Sequence, residues 1–225
     1  MEFVSLSFSF LKILIRETWR GKTLARIFMN QTLKKIQVSG TILDLGSSTE
    51  GASYNRFLQF QEPFTVTHTD FFKNEENLIQ LNLEEPFQNI QDETYNTITC
   101  FNTLEHIYNY KNTVQESYRI LKNGGIFVGG TPFLVNYHAD PHDYFRYTHE
   151  AIEKIFLAEK FQLEKMVSLG YGPFTVSAMY SANILPKILR IVVILPALLL
   201  DWVVLKLKPS QRGKYALGYV YIFKK

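Results

Sequence analysis

The sequence is poor in cysteine, with Cys100 as the single thiol among 225 residues. One thiol cannot form an intramolecular disulfide or a cysteine-rich zinc site, which excludes disulfide-stabilised scaffolds and zinc-ribbon modules. Cys100 lies in the apolar run Thr97–Phe101, which favours a buried strand cysteine. An excess of charge is also lacking, since 24 Lys and Arg face 21 Asp and Glu for a net charge of +3. Without a basic block, we expect no nucleic-acid partner.

A long uncharged apolar run is missing as well. Within residues 184–207 the run Ile184–Leu205 is very apolar, but three charged residues interrupt it: Lys187, Arg190 and Asp201. The longest uncharged stretch, Ile191–Leu200, has about half of the roughly 20 residues that a spanning helix needs. We therefore expect an apolar helical insertion that is buried or forms a homodimer. Contact in the plane of a membrane surface is the alternative, and a spanning helix is the least favoured.

The N-terminal region is apolar but has neither a cationic leader nor a small-residue cleavage site, so we expect no secretory signal and a cytoplasmic protein. Residues 1–38 predict a helical segment in two pieces around Gly21. We expect the remaining residues, 39–225, to form one α/β domain that carries the apolar insertion at 184–207.

Short apolar strands alternate with helical segments along this domain. The predicted strands are Ile42–Leu45, Phe64–His68, Tyr95–Phe101 and Ile126–Val128. The predicted helices between them are Ser53–Gln61 and Tyr110–Leu121, the second ending at Lys122-Asn-Gly-Gly125. This alternation predicts a doubly wound, Rossmann-like, mostly parallel sheet with helices on both faces.

The segment Thr41–Gly51 is the most informative stretch of the chain. An apolar strand ends in Asp44 and runs into a turn at Gly46, where the missing Cβ lets the backbone approach a ligand. Open α/β sheets build nucleotide-type pockets at this place. Asp70 ends the next strand, where a carboxylate can accept hydrogen bonds from both ribose hydroxyls.

Several motifs in order resemble the class I S-adenosylmethionine-dependent methyltransferases, and in particular their small-molecule and glycan branch. The matching segments are Ile42-Leu-Asp-Leu-Gly46, Asp70, Asn82-Leu-Glu-Glu-Pro-Phe87, Asp92-Glu-Thr-Tyr-Asn96, Asn102-Thr-Leu-Glu-His106 and Tyr118-Arg-Ile-Leu-Lys-Asn-Gly-Gly-Ile-Phe127. The last two are the most specific. The resemblance covers about residues 40–170 and implies a seven-stranded sheet.

The resemblance implies S-adenosylmethionine as cofactor and assigns residues to it. Those at the methionine half are Asp44, Gly46 and Ser48. Asp70 would bind the ribose, Asn82 and Leu83 would border the adenine, and Asn102 and Leu104 would lie along the cofactor. Glu105 and His106 are typical of the family at this place but vary in role: the default is a structural role, and the alternative is that His106 reaches the substrate.

The glycine loop departs from the family pattern, because Gly46-Ser47-Ser48 stands where Gly-x-Gly is usual. One alternative is therefore a methyltransferase-like module that has lost catalysis and acts as a partner or scaffold subunit. A nicotinamide-dependent oxidoreductase is disfavoured, because the glycine fingerprint is incomplete and Leu104-Glu-His106 has no place in it.

The segment Thr131–Thr148 is rich in His, Asp, Tyr and Arg side chains. It follows a strand, so we expect it over the mouth of the pocket. Transfer to a hydroxyl needs positioning and a base, and we predict His138 or His142 with Asp143 in that role. Tyr144 and Arg146 are predicted to bind the substrate, Arg146 by clamping an anion. The alternative for Asp143 and Arg146 is an internal salt bridge. A metal site is not expected, because the spacing of His138, Asp140 and His142 fits no specific motif.

These features together predict an S-adenosylmethionine-dependent methyltransferase, directed at an oxygen of a small molecule, saccharide or lipid-linked glycan intermediate in polysaccharide biosynthesis. The glycan connection comes from the resemblance. The apolar segments are compatible with peripheral membrane contact.

Overall fold

A computed structural model describes residues 1–4, 7–47, 54–72 and 78–225. In these ranges the strands are β1 (Glu2–Phe3), β2 (Gln37–Leu45), β3 (Gln59–Asp70), β4 (Leu78–Gln80), β5 (Tyr95–Phe101), β6 (Leu121–Pro132), β7 (Gln162–Leu169) and β8 (Gly218–Lys224). The α-helices are α1 (Phe8–Trp19), α2 (Leu24–Leu33), α3 (Tyr110–Ile120), α4 (His149–Ala158), α5 (Pro173–Ile184) and α6 (Lys187–Leu207).

The eight strands form one sheet in the order β1-β7-β8-β6-β5-β2-β3-β4. All pairings are parallel except those of β8 with β6 and β7, which are antiparallel. The predicted mostly parallel, doubly wound sheet is confirmed. It has eight described strands rather than seven, because the two-residue β1 adds to the edge beside β7.

Two apolar clusters cover the two faces of the sheet, because strand residues alternate between the faces. Leu43 and Leu45 of β2 join the cluster under α3 and α4. Ile42, on the opposite face of the same strand, joins the cluster under α1, α2, α5 and α6. The N-terminal helices therefore pack on the sheet, and β2 begins at Gln37, two residues before the predicted domain boundary.

The predicted helix Ser53–Gln61 is wrong over its described residues. A short 3₁₀ turn, Asn55–Phe57, is followed by β3 from Gln59 onward. Residues Gln59–Gln61 pair with Gln37–Ser39 of β2, and the register shifts after Ser39. Pairing with a neighbouring strand therefore overrides the local pattern.

The apolar insertion predicted at 184–207 is one helix, α6, which packs against the preceding helix α5 and is joined to it at Leu185 and Pro186. By length and composition α6 could cross a membrane, since its mean hydropathy is 2.5. Yet it carries Asp201, which is fully buried and holds the first turn of α5. The Asp201 carboxylate accepts hydrogen bonds from the backbone N–H of Phe174 and Thr175 and from the Thr175 hydroxyl.

Candidate active site

The carboxyl ends of β2, β3 and β5 meet at one edge of the sheet, and the glycine turn lies there. Gly46 has a φ of +69°, which glycine adopts without strain. A Cβ at this position would collide with the Thr103 side chain. The Gly46 N–H donates to the Thr69 hydroxyl at 3.1 Å. The turn therefore requires glycine, and residues at the ends of β3 and β5 hold it in place.

Asp44 is 3% exposed and is bonded within the protein. Its Oδ1 accepts from the Thr99 hydroxyl at 2.7 Å, and its Oδ2 accepts from the Asn55 amide at 3.0 Å. Nδ1 of His68 lies 3.2 Å from the same Oδ2. Asp44 thus ties β2 to β3, β5 and the 3₁₀ turn, a role that its sequence position did not reveal.

The other residues predicted for the cofactor follow the neighbouring strands. Asp70 ends β3, and its Oδ1 accepts from the Phe72 N–H at 2.7 Å. Asn82 lies just after β4 and accepts from the Glu84 N–H at 3.0 Å. Leu83 is buried, and its carbonyl accepts from the Thr113 hydroxyl. Ser48 lies outside the described residues.

Asn102 follows β5 with a φ of +51°, a left-handed conformation that asparagine tolerates better than most residues. Its N–H donates to the Gly130 carbonyl, and its amide donates to the Tyr54 hydroxyl at 2.6 Å. Leu104 is buried, two residues further on.

A cavity of about 440 Å³ opens beside Asn102. Its lining comes from the start of α2, the end of β6, the segment after it, and α5. Asn102 and His138 are the predicted site residues that it contains. The cavity therefore lies next to the cofactor edge, with Asn102 at the boundary.

The segment after β6 is held by an ion pair. Arg146 donates to both carboxylate oxygens of Asp143, at 2.5 and 2.6 Å, and also to the Asn136 carbonyl at 3.2 Å. The guanidinium lowers the pKa of Asp143 to about 2. Oδ2 of Asp143 also accepts the His138 N–H. The internal salt bridge, one of the two alternatives from sequence, is therefore present.

Glu105 lies under this segment and is fully buried. Within the described ranges, neither of its carboxylate oxygens has a hydrogen-bond partner. Nε2 of His106 and Nε2 of His138 each lie 3.7 Å from its Oε1. An uncompensated buried carboxylate is costly, so this group favours a positive partner beside it.

His138 is the most exposed member of this cluster, and it lines the cavity. Its Nδ1 lies 3.1 Å from the Asn136 carbonyl oxygen and 3.4 Å from Nη2 of Arg146, and the tautomer in which Nδ1 donates to that carbonyl is the one that leaves Nε2 as an acceptor. Interaction with Glu105 raises the pKa of His138 above its ordinary 6.5. His138 is therefore arranged to accept a proton.

The ligand atoms of Glu105, His106 and His138 lie within 4.8 Å of one another, the range in which a metal ion could be considered. Tetrahedral ligands with bonds of about 2.1 Å lie about 3.4 Å apart, so these atoms would have to draw together. A proton shared between the Glu105 carboxylate and Nε2 of His106 or His138 requires less movement than a metal ion does, because each of these nitrogens lies 3.7 Å from Oε1.

The remaining predicted residues lie around this cluster. The His142 carbonyl contacts Nδ1 of His106, while the His142 ring packs on Tyr144 at 5.3 Å. The Tyr144 N–H donates to the Glu105 carbonyl. The structure therefore brings His106 and His138 together, whereas His142, Tyr144 and Arg146 do not line the described cavity.

Sequence reasoning gave Glu105 a structural role by default, and it missed Arg26 and Tyr54. Glu105 was visible within the Leu-Glu-His motif, but no local pattern signals that its oxygens are buried and unpaired. Arg26 and Tyr54 come together only in the fold, where the guanidinium lies 3.4 Å from the ring centroid.

Comparison with known proteins agrees with this geometry. A family model described as a methyltransferase domain matches residues 16–168, so the chain belongs to that family. The predicted family is thereby confirmed, and S-adenosylmethionine is the cofactor of this class of enzyme. No curated protein sequence matches the chain.

Solved structures share the fold at low identity. A SAM-dependent methyltransferase from Archaeoglobus fulgidus has a TM-score of 0.57 and 16% identity, over 97% of this chain and 100% of that one. The Burkholderia thailandensis 1,6-didemethyltoxoflavin-N1-methyltransferase, solved with 1,6-didemethyltoxoflavin and S-adenosylhomocysteine, has a TM-score of 0.54 and 12% identity over 99% and 91%. The [4+2]-cyclase SpnF has a TM-score of 0.54 and 10% identity over 89% and 80%.

Proposed function

We propose that this protein transfers a methyl group from S-adenosylmethionine to a hydroxyl group of an acceptor held in the cavity. The observation that carries the proposal is His138, a cavity residue whose Nε2 lies 3.7 Å from the buried carboxylate of Glu105. The acceptor we propose is a small molecule, a saccharide or a lipid-linked glycan intermediate.

The residues at the sheet edge fit the cofactor. Gly46 makes the turn that must pass close to it, and the Asp70 carboxylate at the end of β3 is suited to a ribose diol. Asn82, Leu83, Asn102 and Leu104 follow β4 and β5 on the same edge. When bound, S-adenosylmethionine supplies the methyl group on a sulfonium. Asp44 supports the turn through its three internal contacts.

His138 would take the proton of the acceptor hydroxyl on Nε2, and the Glu105 carboxylate would stabilise the resulting imidazolium. In this mechanism Nδ1–H donates to the Asn136 carbonyl, and the Asp143–Arg146 pair fixes the segment. General-base catalysis of this kind contributes about 10²–10⁴-fold to a rate.

The test is calorimetric titration of the purified protein with S-adenosylmethionine and S-adenosylhomocysteine. We expect micromolar binding, followed by transfer of a labelled methyl group to hydroxylated saccharide or lipid-linked acceptors. A folded protein that binds neither compound would favour the scaffold alternative. The SpnF cyclase shares this fold, so the fold alone does not fix the reaction.

We also propose that the protein works in the cytoplasm at a membrane surface. Large apolar side chains are exposed along α1 and α6, including Phe8, Trp19, Val192, Leu199 and Trp202. Arg16, Arg20 and Lys206 lie on or next to the same helices and would favour anionic lipid headgroups. Flotation with anionic vesicles, compared with neutral ones, tests this. A stable dimer by light scattering, without vesicle binding, would assign the surface to a second copy.

A further inference from the structure

Arg26 lies in the first turn of α2 and has a buried side-chain head. Its Nε and Nη2 atoms are buried and have no hydrogen-bond partner within the described part of the chain. The guanidinium stacks on Tyr54, 3.4 Å from the ring centroid, and burial lowers its pKa. A guanidinium stays charged in proteins, so these N–H groups remain as unsatisfied donors. Such groups are costly unless an anion completes them.

The cavity that Arg26 lines has a positive character. Lys22 is a second cation in the lining, and the described lining includes no Asp or Glu. The N-terminus of α2 also opens here, with Thr23 as its N-cap. The helix dipole adds positive potential at that end. Three independent features therefore favour a negatively charged group in the same space.

The lining places this positive region on the acceptor side of the site. Asp44, Gly46 and Asp70 are absent from the described lining, and Asn102 is the shared boundary residue. The opposite wall includes Met179 and Asn183 of α5, far along the chain from the cofactor motifs. An anion bound by Arg26 would therefore lie in a space that α2 and α5 both line.

We propose that Arg26 binds an anionic group of the acceptor, a phosphate or a carboxylate, in the cavity between α2 and α5. The inference rests on the proposed function only for the identity of the bound molecule as acceptor. Planar guanidinium donors match both oxyanions in two-point contacts. Lys22 at the same cavity adds a second positive charge, and Asn183 adds an amide.

Calorimetric titration with simple probes tests the proposal on the full chain. Inorganic pyrophosphate represents the phosphate source, glucuronate represents the carboxylate source, and glucose is the neutral control. We expect the wild-type protein to bind at least one of the two anions and not glucose. Arg26→Met should weaken that binding about tenfold or more, and Arg26→Lys should retain part of it. The matched control Arg16→Met removes an arginine of α1 that is 59% exposed and outside the described lining, and it should leave binding unchanged.

The cofactor provides a separate readout. Affinities for S-adenosylmethionine and for its decarboxylated analogue should both be unchanged in Arg26→Met. If Arg26→Met weakens only the compound with the carboxylate, Arg26 serves the cofactor and the proposal is overturned. Absence of anion binding by a folded wild-type protein also overturns it, even when cofactor binding upholds the proposed function. Anion binding without cofactor binding would support the anion site and contradict the proposed function.

Discussion

At the cofactor edge, the buried Asp44 carboxylate contacts three side chains, those of Asn55, His68 and Thr99. At the acceptor side, the fully buried Glu105 carboxylate has no hydrogen-bond donor among the described residues. The two carboxylates lie at the ends of neighbouring strands, but within the described ranges only that of Asp44 accepts hydrogen bonds. A satisfied group stabilises the fold, whereas an unsatisfied one retains its capacity for a ligand or a proton. In the mechanism proposed above, this difference separates Asp44, which supports the fold of the site, from Glu105, which acts beside the base His138.

The most severe test of this comparison is His138→Ala. We expect turnover to fall about 10²–10⁴-fold, because the acceptor hydroxyl loses its base. Cofactor affinity by calorimetry should stay the same, since His138 lies in the acceptor cavity. His142→Ala tests the other base predicted from the sequence. We expect less than about a tenfold loss there, because that ring packs on Tyr144 outside the described lining. A larger loss in His142→Ala than in His138→Ala would reverse the assignment.

Asp44→Ala tests whether the hydrogen-bonded carboxylate of Asp44 stabilises the fold. We expect the free energy of unfolding to fall by about 2–4 kcal/mol, because three buried polar groups lose their shared acceptor. Urea denaturation measures the change. The control is Asp92→Ala, which removes a carboxylate that is 73% exposed and pairs with Arg119 at the surface. Its cost should be below about 1 kcal/mol. Equal losses in the two variants would contradict the supporting role of Asp44.

Glu105→Gln tests whether the Glu105 carboxylate, which accepts no hydrogen bond among the described residues, serves turnover rather than stability. At a pH where His138 is neutral, removing a buried charge that accepts no hydrogen bond from the described part of the chain should leave the free energy of unfolding unchanged or raise it by about 0.5–2 kcal/mol, while turnover falls. The control Glu116→Gln removes a carboxylate that pairs with Arg119 and accepts from the Phe87 N–H, and it should be destabilising. A Glu105→Gln protein that is clearly less stable than wild type would show that Glu105 supports the fold.

The smallest expected effect is on pH dependence. Glu105 raises the pKa of His138 above 6.5, and the neutral imidazole is the active form. Turnover should therefore increase as pH rises through a midpoint above 6.5, and Glu105→Gln should move that midpoint down. The charged form contributes stability that is present below pH 6.5 and is lost as pH rises through the folded-state pKa. If the midpoint of the pH–rate profile is the same in Glu105→Gln as in wild type, Glu105 does not set the pKa of the catalytic base.

Much of the architecture was predictable from the sequence. Tyr95–Phe101 is a strand at the predicted residues, and Asp70 and Asn102 fall at strand ends as the motif order requires. Apolar periodicity and motif order are local signals, and these elements depend on little else. The segment 54–61 was mispredicted because its conformation depends on pairing with Gln37–Ser39 of β2.

The candidate site was less predictable, because burial and hydrogen-bond satisfaction are properties of the assembled fold. Nothing local distinguishes Glu105, whose oxygens are unpaired among the described residues, from Asp44, whose oxygens are bonded. Arg26 becomes informative only when α2 places it over Tyr54 and beside the cavity. The loop after Gly46 stays a sequence prediction at Ser48, which lies outside the described residues.

The buried Asp201 has a consequence for how the apolar helices operate. Its carboxylate on α6 holds the first turn of α5, and a Cβ on Gly172 would lie 2.5 Å from its Cγ. If α6 moved away from α5, the Asp201 carboxylate would lose its hydrogen bonds, and the N–H groups in the first turn of α5 would lose their acceptor. We therefore expect α5 and α6 to move together as one unit. Because Met179 and Asn183 of α5 form a wall of the cavity, a force applied to α6 from outside would change the width of the space in which the acceptor is held.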